Sequence, residues 1–208
     1  MKTPINSRTL RQHLTYCWWK YALIIILGAL AVNIYFTVTA YRPPDDKKVD
    51  LYISGYGDEQ ALSRYVAGIR ESRMPDMEEM SAVFLTTDPT YGPMQLTTYI
   101  AAGEGDLYLL PRDSFVSMAS QGAWIALESD GDLMALFNEA GVSLQSGWRR
   151  DSTDGNTHLF GIPVSVLPGL SKYAYVENGF LSVLVNGGNT GNALRFLRIL
   201  CADMLRAE

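Results

Sequence analysis

Three short stretches hold the residues best suited to chemistry: Ser54-Gly55-Tyr56-Gly57, Thr86-Thr87-Asp88-Pro89-Thr90-Tyr91 and Pro111-Arg112-Asp113-Ser114. Each joins an extended apolar run to a helical one. Turns of this kind set free backbone N–H groups, side-chain oxygens and aromatic faces side by side, which suits a sugar or another small polar solute. Tyr56, Asp88, Tyr91, Arg112 and Asp113 are therefore candidate ligand-binding residues, and Trp148 is a sixth because its indole can stack on a sugar ring. Taken singly, the same Gly, Pro and Asp residues also make ordinary turns and helix caps. Trp124 sits in an apolar stretch and reads as core.

Signals for catalysis or metal binding are thin. His158 is the only histidine after His13, and it adjoins an apolar run, which favours a structural role. No Gly-x-Ser-x-Gly elbow occurs, and a lone histidine cannot build a His-rich metal site. Asp151-Ser152-Thr153-Asp154-Gly155-Asn156 lacks the acid two residues before Asp154 and the later Glu of a calcium loop. Gly187-Gly188-Asn189-Thr190-Gly191 lacks the lysine of a phosphate loop and reads as a helix start. Two cysteines, Cys17 and Cys201, exclude a disulfide framework and a four-cysteine zinc site. The expectation is a protein with no cofactor, no metal and no enzymatic activity.

The elements that must position the three turns follow from periodicity. Val49, Leu51 and Ile53 alternate with polar residues in a strand over 49–54, and Asp58 is placed to cap a helix carrying Leu62, Tyr65, Val66 and Ile69. A second strand covers 80–86, followed by a helix over 92–102. A continuously apolar strand covers 106–110, a pattern expected where both faces are covered. Asp113 or Ser114 is the expected cap of a third helix with Phe115, Met118 and Ala119. This strand–helix alternation predicts an α/β fold in three layers with a mostly parallel sheet, the strands at 49–54, 80–86 and 106–110 being parallel and adjacent. Their three turns then meet at the carboxyl edge of the sheet, where open α/β folds bind ligands. Beyond 127 the pattern is less regular: a short helix over 132–140, extended stretches at 158–164 and 174–176, a strand over 180–185, and a closing helix with Leu194, Leu197, Cys201, Met204 and Leu205 on one face.

Ahead of this body, residues 21–41 contain no charge, and Asn33 is their only strongly polar side chain. Twenty-one residues at ~1.5 Å rise each suffice for a hydrocarbon core of ~30 Å. Trp18, Trp19 and Tyr21 at one end and Tyr35 and Tyr41 towards the other suit the membrane interfaces. The domain reading is thus a cytoplasmic segment over 1–20, a transmembrane helix in contact with lipid over 21–41, a Pro-containing charged linker over 42–48, and an α/β domain over 49–208 outside the cytoplasm. The apolar run exceeds the roughly 7–15 residues of a cleaved signal, so an uncleaved anchor is expected, with cleavage after Ala40 as the alternative.

Charge supports that division. Residues 1–48 hold seven Lys/Arg and two Asp, whereas the rest hold ten basic and twenty acidic residues. A body that acidic repels phosphate backbones, which excludes nucleic acid as its partner.

Several stretches together resemble the extracellular solute-binding proteins that serve ABC importers, of the sugar-binding type. They are Ala101-Ala102-Gly103-Glu104-Gly105-Asp106-Leu107-Tyr108-Leu109, then Phe115 with Met118-Ala119-Ser120-Gln121-Gly122-Ala123-Trp124-Ile125-Ala126-Leu127, and Leu159-Phe160-Gly161-Ile162-Pro163. The closing Ala193-Leu194-Arg195-Phe196-Leu197 is similar to a late helix of that family. Gly105 departs from the pattern, standing where the family often has Pro. The resemblance implies one lobe of a periplasmic-binding-protein-like fold, since the family has two lobes and about twice this body's length. It also implies a small solute such as a sugar, a membrane partner such as an importer permease, and a role accessory to carbohydrate import. The alternative is a non-catalytic interaction module whose lobe holds a protein partner.

Overall fold

The computed structural model describes residues 7–39, 41–152 and 155–206. Ala40, the expected cleavage position, and Thr153 and Asp154 of the acidic stretch lie outside the described residues. The chain divides into two units, one up to Arg42 and one from Pro43.

The first unit is a single helix, α1 (Ser7–Thr39), which begins well before the expected span. Its segment Thr15–Thr39 has the length and composition to cross a membrane, as an anchor or a signal sequence does.

The second unit opens with a one-turn 3-10 helix (Asp45–Lys47) and β1 (Lys48–Ile53). Then come β2 (Tyr56–Gly57), α2 (Glu59–Arg73), β3 (Glu79–Phe84), α3 (Tyr91–Ala102), β4 (Leu107–Leu110) and α4 (Arg112–Ala119). The later half supplies α5 (Gly131–Glu139), β5 (Trp148–Arg150), β6 (Thr157–Leu159), β7 (Ile162–Pro163), β8 (Ala174–Tyr175), β9 (Phe180–Val183) and α6 (Thr190–Met204). The central sheet has the order β3-β1-β4-β9-β7. β1 is parallel to both β3 and β4, while β9 is antiparallel to β4 and to β7, so four of the five strands run one way.

The period of two along the strands splits the apolar side chains between two cores. Val49, Leu51, Ile53, Leu107, Leu109, Leu181 and Val183 face a larger core shared with α2, α5 and α6. Tyr108, Leu110, Phe180 and Leu184 face a smaller one with Leu96 of α3 and Phe115 and Met118 of α4. Helices therefore cover the sheet on both faces, and β4 is buried along its whole length. Trp124 belongs to the smaller core, where its indole N–H donates to the Phe115 carbonyl at 3.2 Å.

At the amino edge of the sheet two carboxylates are buried. The Asp50 N–H donates to Asp106 Oδ2 at 2.9 Å, and the Ser81 hydroxyl donates to Asp50 Oδ1 at 2.6 Å. Lys48 Nζ lies 3.5 Å from Asp50 Oδ2. Burial, with the nearby Asp50 charge adding to it against the backbone bonds, pushes the Asp106 carboxyl up to about 6 from 3.8. A native pKa raised above the unfolded value means that the folded chain binds the extra proton, so this contribution to stability is largest below about pH 4. It falls as pH rises to about 6 and is flat beyond. At about 1.4 kcal/mol per pKa unit the change is on the order of 2–3 kcal/mol. Denaturant titrations at pH 4.5 and 7, compared between the wild type and Asp106→Asn, should show the difference between the two proteins shifting by about 2 kcal/mol, since part of the change lies below pH 4.5. A difference constant with pH would remove Asp106 as the titrating group.

Candidate functional site

The carboxyl ends of β1, β3 and β4 open onto a half-open cleft of about 560 Å³. The chain runs out from β1 to β3 and returns past β1 to β4, so the cleft sits where the strand order reverses, the usual ligand position in such sheets. Ser54, Gly55 and Tyr56 enter from the end of β1, Thr86 to Pro89 from the end of β3, and Pro111 to Ser114 from β4 and the first turn of α4. A fourth wall comes from residues 175–178, at and just beyond the end of β8.

Local chemistry explains each wall. Pro111, with φ of −58°, precedes α4, which starts at Arg112 with no side-chain cap. Asp113 and Ser114 thus lie inside the first turn of α4, correcting the expectation that one of them caps it. Proline's fixed φ makes the helix entry without a capping oxygen, and the first-turn residues Arg112, Asp113 and Ser114 line the cleft. Asp88 acts differently. Its Oδ1 accepts the N–H of Thr90 at 2.8 Å and of Tyr91 at 3.0 Å, closing the entry to α3. Those N–H bonds, from Tyr91 first and then Thr90, hold its carboxyl below the usual range. Asp58 caps α2 by accepting the Ala61 N–H at 2.9 Å.

Gly55 is fixed by close approach. A Cβ there would lie 2.5 Å from the Tyr175 carbonyl oxygen and 2.6 Å from Val176 Cγ2, so only glycine lets the 175–178 wall close on β1. β2 and β8 then pair antiparallel with Tyr56 opposite Tyr175. Both rings are exposed, at 67% and 65%, and form an aromatic rim on one side of the cleft. Asn178, at φ of 47°, turns the chain back into β9.

The structure brings four of the six expected residues into one cleft: Tyr56, Asp88, Arg112 and Asp113. Tyr91 lines a neighbouring groove with Phe84, Met94 and Tyr99 instead. Trp148 does not line the cleft; it is half-buried on β5, packed against the larger core. Two features were missed. One is the wall at 175–178, for which Asn178-Gly179 is a turn signal in the sequence. The other, outside the cleft lining, is Arg149, whose guanidinium stacks over Phe115 and Phe180 of the smaller core at 5.5 and 5.8 Å. Burial first, then repulsion from Arg112, lowers its pKa.

The lining offers both donors and acceptors: the hydroxyls of Ser54, Thr86, Thr87 and Ser114, the carboxylates of Asp113 and Glu177, and the guanidinium of Arg112. That mixture next to exposed tyrosine faces suits a polyhydroxylated solute. Among the described residues no group of three or more His, Cys, Asp or Glu side chains is placed to hold a metal ion.

No protein-family model matches the chain, and no curated protein matches it. Among solved structures it is similar to an extracellular solute-binding protein family 1 member of Alicyclobacillus acidocaldarius, at 20% identity and a TM-score of 0.43, over 59% of this chain and 29% of that one. It is also similar to an uncharacterised protein of Listeria monocytogenes, at 14% identity and a TM-score of 0.44, over 56% and 28% of the two chains. An N-glycan transport solute-binding protein of Streptococcus pneumoniae matches at 15% identity and a TM-score of 0.35, over 58% and 25%. The match thus spans less than a third of each of these chains.

Proposed function

We propose that this protein is a membrane-anchored, extracytoplasmic binding module for a small polyhydroxylated solute such as a sugar, accessory to ABC-type carbohydrate import. The observation that carries the reading is the convergence of three strand-to-helix turns and the Tyr56–Tyr175 rim on one cleft at the carboxyl edge of the sheet. Tyr56 supplies a stacking face, and Arg112, Asp113 and the first-turn N–H groups of α4 supply polar contacts. Asp88 shapes the wall through its backbone bonds. The basic N-terminal segment and the apolar helix support a body outside the cytoplasm, anchored through residues 21–41. The sequence resemblance to sugar-binding solute receptors supports the same reading, with an importer permease as the membrane partner it suggests.

The cleft is half-open, so a bound solute keeps part of its surface in water and its hydrogen bonds compete with solvent. Affinity for simple sugars is therefore expected in the high-micromolar to millimolar range, about −4 to −5.5 kcal/mol. Calorimetric titration of the full chain in detergent with a panel of neutral mono- and disaccharides tests the reading.

A second reading has its own observation. Helix α3 contains no charged residue, and Tyr91 and Met94 stand 66% and 65% exposed on it beside two apolar grooves. A lobe that holds a protein partner through this face would give no heat with any sugar, and a partner would be recovered by crosslinking in the native membrane.

A further inference from the structure

Helix α1 carries a single strongly polar side chain in its apolar stretch, Asn33. Taking Tyr21 and Tyr41 as the interfacial ends, the midpoint is residue 31, so Asn33 lies about 3 Å from mid-membrane along the axis. The threonine hydroxyls in the same stretch are satisfied within the helix. Thr37 donates to the Asn33 carbonyl at 2.9 Å and Thr39 to the Tyr35 carbonyl at 2.6 Å. The carboxamide of Asn33 has no such bond among the described residues and stands exposed on the helix. In hydrocarbon that amide lacks water as a partner, and leaving it unpaired is costly.

The residues around it form a seam. Ala22, Ile26, Ala29, Asn33 and Phe36 follow one another at spacings of four, three, four and three, the repeat that keeps one face turned toward a neighbouring helix. Ala22 and Ala29 let backbones approach closely on that face, whereas Ile24 and Tyr35 lie on the opposite side. A carboxamide is both donor and acceptor, so it is complementary to a second copy of itself across a two-fold axis. All copies share one topology, which makes their helices parallel and sets Asn33 at equal depth in each. No partner of other chemistry is needed to satisfy the group.

We propose that α1 pairs with α1 of a second copy of this chain inside the membrane, with the two Asn33 carboxamides hydrogen-bonded at the centre of the seam. The proposal rests on the membrane-anchor reading and is independent of what the cleft binds. Pairing would set two clefts on one assembly and raise the effective affinity for a solute or partner with two epitopes.

Energy transfer between donor- and acceptor-labelled full chains in phosphatidylcholine vesicles, followed as lipid is added, tests it. The wild type should transfer above the level of random proximity. Asn33→Leu, which keeps the helix apolar, should weaken association roughly three- to twenty-fold, and Asn33→Gln should recover most of it. Random-level transfer in the wild type, or equal transfer in Asn33→Leu, overturns the pairing. Alkaline carbonate extraction of the same vesicles separates the two ideas: release of the chain into the supernatant overturns the anchor itself, and retention with random transfer overturns only the pairing.

Discussion

Phe115→Ala should lower the unfolding free energy of the body by about 3–5 kcal/mol, read as a shift in urea midpoint at unchanged slope. Phe115 is fully buried and stacks on Phe180 with ring centres 4.5 Å apart and planes 14° from parallel. Its backbone carbonyl takes the Trp124 indole N–H, and the Arg149 guanidinium lies over its face. Gly161 makes the room: a Cβ there would meet the ring at 2.7 Å. Truncation opens a cavity beside the buried Ser182 hydroxyl, which has no hydrogen-bond partner among the described residues, so collapse around the void is hindered. The same ring anchors α4, whose first turn lines the cleft, so solute binding should weaken with stability. Val116→Ala, one residue along and 37% exposed, should cost less than about 1 kcal/mol. A Phe115→Ala loss as small as that would mean that the smaller core repacks freely.

Gly55→Val should remove solute binding, lowering affinity at least about ten-fold, while destabilising the body by about 1–3 kcal/mol. The new Cβ falls within 2.5–2.6 Å of the Tyr175 carbonyl oxygen and of Val176, whose own side chain is buried. Neither neighbour is a free side-chain end. Relief requires the 175–178 wall to swing away, which parts Tyr175 from Tyr56 and opens the rim of the cleft. Calorimetry with the best sugar of the panel and a parallel thermal scan check both halves. Unchanged affinity in a folded Gly55→Val protein would show that the 175–178 wall takes no part in binding.

The first half of the body was legible because its signals are local. Alternation at Val49, Leu51 and Ile53, the Asp58 cap and the unbroken apolar run of β4 each depend on a few adjacent residues. The α4 start differs from the expected one because Pro111 and Asp113 both mark helix entries, and only the backbone shows that proline takes that place. The direction of β9 could not be read: all four of its residues are buried, so its pattern is the same either way round. Trp148 and the 175–178 wall share another cause. Both lie in the irregular half, where contacts across many residues decide which side chain reaches the cleft and which the core. Periodicity carries no such information.

Titration of the full chain, its Tyr56→Ala/Tyr175→Ala variant and its Arg112→Ala variant with the same panel of neutral sugars in one calorimeter shows whether the cleft binds solute. The wild type should bind at least one sugar weakly and saturably in the high-micromolar to millimolar range, with a loss of about three- to ten-fold or more in each variant with the fold intact. Nanomolar binding by a single copy, or sugar binding that all three proteins share equally, would contradict this expectation.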